Sequence, residues 1–152
     1  MSIVKGWLIG LASTGVMAVT GGSAAAIDLT GTWEGTAKCA VQEQGEPVGR
    51  GTFPAVLEIS QSGTALNVSL SGLPASGLAT DNGNDVTRGF MAFEACSSPP
   101  FIPFGGSGKA TIGANAGKIT GQFHLIGVEA VEICRLTVKR TSPADPGVPP
   151  CP

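Results

Sequence analysis

Polar and apolar residues alternate along most of the chain after residue 31. From Thr32 to Val41, Trp33, Ala37, Cys39 and Val41 share one face, and Glu34, Thr36 and Lys38 share the other. A period of two with a polar outer face predicts a half-buried strand. Gly51 to Ser60 alternates in the same way, with Phe53, Ala55, Leu57 and Ile59 inward; Pro54 marks an edge or a bulge. Gln61-Ser62-Gly63 is a turn, and Thr64 to Ser71 returns with Leu66, Val68 and Leu70 inward, so the two segments form a hairpin.

Leu78 to Thr80 is a short strand candidate, followed by the turn Asp81-Asn82-Gly83-Asn84-Asp85. Val86 to Cys96 is apolar on both faces: Val86, Phe90 and Ala92 on one, Met91, Phe93 and Ala95 on the other. Ser97 to Gly108 holds three prolines and reads as a loop that displays Phe101, Ile102 and Phe104. Lys109 to Gly113 and Lys118 to Gly127 flank a turn at Asn115-Ala116-Gly117, with Ile119, Phe123 and Leu125 inward. Ala130 to Thr141 is the last strand, with Cys134, Leu136 and Val138 on one face. No segment sustains a helical period. About eight short antiparallel strands in sequence order predict an all-β domain, closed as an up-and-down barrel or stacked as a sandwich.

The ends of the chain carry other signals. Lys5, an apolar stretch from Gly6 to Val19, and small residues at Ala24 and Ala26 match a signal peptide cut before Ile27. The apolar stretch is broken by Gly10, Ser13 and Gly15 and falls short of the ~20 residues that span a bilayer. The organisation expected is a signal peptide at 1–26, a barrel at 27–141 and a proline-rich tail at 142–152. Export implies a secreted or periplasmic protein, with no membrane insertion after cleavage. After cleavage, eight Lys and Arg face eleven Asp and Glu, which argues against nucleic acid as a partner.

Cys39, Cys96, Cys134 and Cys151 make an even set with no Cys-x-x-Cys pair, which in an exported chain reads as two disulfides. Four cysteines allow three connectivities. Closure of a barrel makes the first and last strands neighbours, each with an inward cysteine, so Cys39–Cys134 and Cys96–Cys151 are the pairs expected.

The segment Leu29-Thr30-Gly31-Thr32-Trp33 resembles the opening of lipocalins and avidins, which begin their first strand with Gly-x-Trp. The resemblance implies a small barrel with Trp33 plugging one end. Avidins hold biotin with several Trp and a Tyr, whereas this chain keeps one Trp after residue 26 and has no Tyr. Lipocalins carry a helix after the barrel where this chain has prolines.

Apparent catalytic motifs each fail at a named position. Gly105-Gly106-Ser107-Gly108-Lys109 imitates a phosphate loop, but Pro103 and Ala110 stand where Gly and Ser or Thr are required. Asp81-x-Gly83-x-Asp85 imitates a calcium loop, but Val86 and Ala92 replace its Gly and Glu. His124 is the only histidine, and no Gly-x-Ser-x-Gly elbow accompanies it. Glu129 and Glu132 read as edge solvation, and the sequon Asn67-Val68-Ser69 lies within a strand. The expectation is therefore a non-catalytic binding protein without cofactor or metal. Its leading ligand is a small hydrophobic molecule held by Trp33, Phe53, Phe90, Phe123 and Leu125. The alternative is another exported protein, bound through Phe101, Ile102 and Phe104. An enzyme is the remaining possibility.

Overall fold

The computed structural model describes residues 26–83, 85–96, 103–113 and 116–152. Eight strands follow in order: β1 (Gly31–Glu43), β2 (Gly49–Ser62), β3 (Ala65–Leu70), β4 (Leu73–Asn82), β5 (Asp85–Ala95), β6 (Phe104–Ile112), β7 (Gly117–Ile126) and β8 (Ala130–Ser142). Each pairs antiparallel with the next, and β8 pairs with β1, so the sheet closes as an up-and-down barrel. Among the described residues there is no helix. The expected signal peptide lies outside the described residues up to position 25; Ile27 is fully buried.

Inward side chains from all eight strands fill the barrel. The most deeply buried include Trp33, Leu57, Ile59, Leu66, Val68, Ile119, Cys134 and Val138. Met91 and Phe93 of β5 and Phe104 of β6 complete the packing, with the Phe93 and Phe104 rings edge to face at 6.3 Å. Two inward glycines make the fit possible. A Cβ on Gly106 would stand 2.7 Å from the Phe93 ring, and one on Gly121 would stand 2.2 Å from the Ser107 carbonyl oxygen. The β6–β7 wall coils inward there because those positions are bare.

Trp33 closes one end. Its Nε1 donates to the Leu29 carbonyl at 3.0 Å, and the Arg140 guanidinium lies over its ring at 5.0 Å. Arg140 Nη2 also donates to the carbonyls of Asp28 and Thr30, tying the N-terminal segment beneath the barrel. Gln61 holds the same segment by accepting from Leu29 N–H and donating to the Ile27 carbonyl.

Cys39 and Cys134 are direct register partners on β1 and β8 and are disulfide-bonded; Cys96 is bonded to Cys151. Both pairs are those expected from strand phase. The last segment is not a free tail. β8 takes Ser142, and the residues beyond it cross the outside of β2, where the Ser60 hydroxyl donates to the Asp145 carboxylate and accepts from Val148 N–H.

Several sequence expectations change. The short strand at 78–80 is the middle of a ten-residue β4. The strand expected at 109–113 begins at Phe104, inside the segment read as a loop, because a strand can run through glycines where a neighbour's ring needs the space.

Candidate functional site

The five residues expected to line a ligand cavity do not converge. Trp33 plugs the closed end, and Phe123 is packed in the interior. Leu125 is half-buried near the opposite end of β7. Phe53 has the inward phase, opposite Ala37, yet is 50% exposed. The reason is the length of β3. It ends at Leu70, level with Leu57, so the part of β2 before Val56 has no neighbour on that side. The Phe53 ring folds over Gly51, the register partner of Cys39.

Phe90 is a correction of phase. Both faces of β5 carry large apolar residues, but Arg88 and Glu94 share the Phe90 face, and the inward choice falls on Gly89, Met91 and Phe93, leaving Phe90 outside and 43% exposed. A Cβ on Gly89 would meet both the Thr80 carbonyl oxygen and Ile27, so that face is the one the N-terminal segment fits against. Of the expected partner-binding set, Phe101 and Ile102 lie outside the described residues. Phe104 is buried against Phe93 and is not displayed as expected, because it starts β6 with an inward phase.

A hollow of about 1290 Å³ opens mainly on the outer wall, with Leu66, Phe93, Phe104 and Phe123 of the interior also among its lining. Its floor is made of small outward residues on two central strands: Ala92 on β5, then Gly105 and Ser107 on β6. Leu78 rises on one side, 60% exposed. Ile126, Val131 and Ile133 rise on the other, with Ile126 and Val131 register partners at the β7–β8 tip. Polar groups sit between these ridges. Gly105 is flanked in register by Glu94 on β5 and His124 on β7, and Ser107 is paired with Gln122. A second hollow of about 600 Å³ continues the trough, sharing Leu78, Ala92, Ser107 and Gln122 and adding Phe90 and Lys109. The Lys109 ammonium lies 6.0 Å from the centre of the Phe90 ring.

The wall formed by β8, β1 and β2 is different. There Lys38 is opposite Arg135, Glu34 is opposite Lys139, and Thr32 is opposite Glu58. Charged pairs thus dominate the wall around β1, whereas the trough sets the exposed apolar Leu78, Ile126, Val131 and Ile133 around polar groups that include Glu94, Lys109, Gln122 and His124. The strand phase of β7 already places Ile126 outward beside His124. The trough was not legible because its floor depends on which face of β5 turns outward.

Two candidate ion sites resolve on geometry. The ligand atoms of Cys39, Glu132 and Cys134 lie within 4.8 Å of one another, but the two sulfurs are bonded to each other and offer no thiolate. Asp85 is engaged by its own turn: hydrogen bonds from the Thr87 hydroxyl and N–H, then Arg88 nearby, hold its carboxyl below the ordinary value. No family model, curated protein or solved structure was found to match the chain.

Proposed function

We propose that this chain is a non-catalytic binding protein of an oxidising compartment, secreted or periplasmic, and that it holds another exported protein on the outer trough of β4–β8. The observation that carries this reading is the set of exposed apolar residues Leu78, Ile126, Val131 and Ile133 that flanks one hollow, with polar groups between them. The interior is occupied by the protein's own side chains, which favours an external site. Size favours a protein over a small molecule. A hollow of about 1290 Å³ that is open to solvent exceeds the roughly 300–1,000 Å³ of small-ligand pockets, which enclose most of their ligand. Contiguous apolar surface rimmed by polar groups is also the common form of a protein-binding patch. Two intramolecular disulfides suit an oxidising compartment.

Photo-crosslinking from single positions tests the reading. A crosslinker at Leu78 or Ile133 is expected to capture a defined partner from the exported protein pool, and one at Glu34 or Lys139 is not. Equal capture from both walls, or none from the trough, refutes it. A small hydrophobic ligand is the second reading, and Phe53 favours it, being an inward-phase aromatic left half exposed at the barrel mouth. A panel of fatty acids and aromatic ligands is then expected to raise the melting temperature, and Phe53→Ser to abolish the rise. A flat response in the parent protein removes this reading.

A further inference from the structure

The two disulfides hold different things. Cys39–Cys134 lies inside the β1–β8 ladder, with register pairs on either side of it. Cys134 is wholly buried and Cys39 nearly so. Glu132 shares their inward phase, and its Oε1 is 3.4 Å from Cys134 Sγ. Cys96–Cys151 lies outside the barrel wall. It joins the end of β5 to the next-to-last residue of the chain, and Cys151 is only half-buried.

Between Ser142 and Cys151 the chain forms a strap with no strand ladder of its own. Pro143, Pro146, Pro149 and Pro150 lack an N–H, so the strap cannot become a ninth strand. What holds it is one side chain and one covalent bond. Ser60 faces outward on β2 but is buried, because its hydroxyl donates to Asp145 and accepts from Val148 N–H at 2.8 Å. Gly147 N–H donates to the same Asp145 carboxylate at 2.9 Å. The strap therefore runs from the Trp33 end of the barrel, across β2, to the far end of β5.

We propose that Cys96–Cys151 is a reducible latch on this strap, and that Cys39–Cys134 is a seam resistant to the same reductant. The reductant required is a dithiol. Its thiolate attacks Cys151 Sγ, the S–S bond breaks, and Cys96 leaves as a thiolate that takes up a proton. The second thiolate of the reductant then attacks its own sulfur in the mixed disulfide. Cys151 is released and protonated, and the reductant departs as a cyclic disulfide. The protein gains two electrons and two protons, and the dithiol loses the same. At the seam, an attacking thiolate meets burial first and then the Glu132 carboxylate beside its target, and like charges repel. Opening the latch leaves the strap held by the Ser60 hydrogen bonds alone, so the outer face of β2 at Ser60 passes from permanently covered to reversibly covered.

The test uses the full oxidised protein, titrated with dithiothreitol and trapped with an alkylating reagent, with mass mapping of the labelled cysteines. Cys96 and Cys151 are expected to label first while the Trp33 emission stays unchanged, and strap cleavage by a prolyl-directed protease is expected to begin at the same point. Glu132→Gln is expected to speed opening of the seam by about fivefold or more, the factor for a unit charge about 4 Å away in water, and to leave the latch rate unchanged. Cys96→Ser/Cys151→Ser separates the latch from the fold: its barrel is expected to keep the parent Trp33 spectrum with the strap already cleavable. Seam opening first, both bonds opening together, or loss of the barrel with the latch overturns the proposal.

Discussion

Replacing the seam cysteines together, Cys39→Ala with Cys134→Ala, isolates what covalent closure contributes. The two residues are 95 apart in sequence. Closing a loop of that size lowers the entropy of the unfolded chain by an amount worth roughly 4–5 kcal/mol at 25 °C. The loop interleaves with that of Cys96–Cys151, whose separation is 55. With the second bond in place, the seam closes an effective loop of about 70 residues, which trims the figure by only a few tenths of a kcal/mol. The folded state changes little, because β1 and β8 remain in register from Thr32 to Glu43 without the sulfur bridge. The loss is thus expected in the unfolded state, at about 4 kcal/mol, which is a large share of the roughly 5–15 kcal/mol that stabilises a domain.

Urea unfolding followed by Trp33 emission measures it. With a slope of about 2 kcal/mol/M, the midpoint is expected to fall by about 2 M. The slope itself is expected to rise, since an unfolded chain without the crosslink exposes more surface. A midpoint shift below about 0.5 M with an unchanged slope refutes the argument. It would mean that the unfolded chain already keeps β1 and β8 together without the bond.

Three other outcomes follow from single contacts. Arg140→Ala removes the donor to the Asp28 and Thr30 carbonyls and the cation over Trp33, so a loss of about 2–3 kcal/mol is expected by thermal melting, with a red shift of Trp33 emission; an unshifted spectrum counts against the plug. Gly121→Ala places a Cβ 2.2 Å from the Ser107 carbonyl oxygen, with a cost of about 3 kcal/mol or more expected in the same assay, and a tolerated variant would show that the β6–β7 wall is not tightly coiled there. The Asp145 carboxyl is held below its ordinary value of 3.8 by the Ser60 hydrogen bond first and the Gly147 N–H second. A depressed folded value stabilises the docked strap above the ordinary value, and that contribution is lost as the pH falls through the folded one. The protection of Val148 N–H, measured relative to the intrinsic exchange rate at each pH, is therefore expected to fall below about pH 4 in the parent, and Ser60→Ala is expected to leave this amide unprotected at every pH.

Strand count, order and disulfide pairing were legible in the sequence because each rests on local alternation. Where one face is polar, as in β1 with Glu34, Thr36 and Lys38, only one phase buries the apolar set. The pairing of Cys39 with Cys134 then follows from closure. The segments that misled are those where bulky apolar residues on both faces, or a run of glycines, blur the alternation. In β5 large apolar residues stand on both faces, so Phe90 competes with Met91 and Phe93 for the interior; Arg88 and Glu94 mark the Phe90 face as the outer one, and Gly89 on the inner face makes room for the Thr80 backbone and Ile27, contacts 9 and 62 residues away in sequence. In β6 the run Gly105-Gly106-Ser107-Gly108 has turn composition, but Gly106 is bare because the Phe93 ring occupies the place of its side chain.

These two failures are the same failure, and it falls on the candidate site. The trough floor is the outward face of β5 and β6, made of Ala92, Gly105 and Ser107. Its shape depends on Phe93 pointing in, which forces Phe90 out and requires glycine at 106. An inward Phe90 would exchange the two faces of β5, turning Phe93 outward and moving Ala92 from the floor to the interior. The binding reading therefore stands on the phase of one strand. Phe93→Ala is expected to empty the space over Gly106, cost about 3–5 kcal/mol and loosen the trough, whereas Phe90→Ala is expected to cost less than about 1 kcal/mol. The reverse ranking would place the apolar floor inside the barrel and leave the outer wall with no claim to a partner.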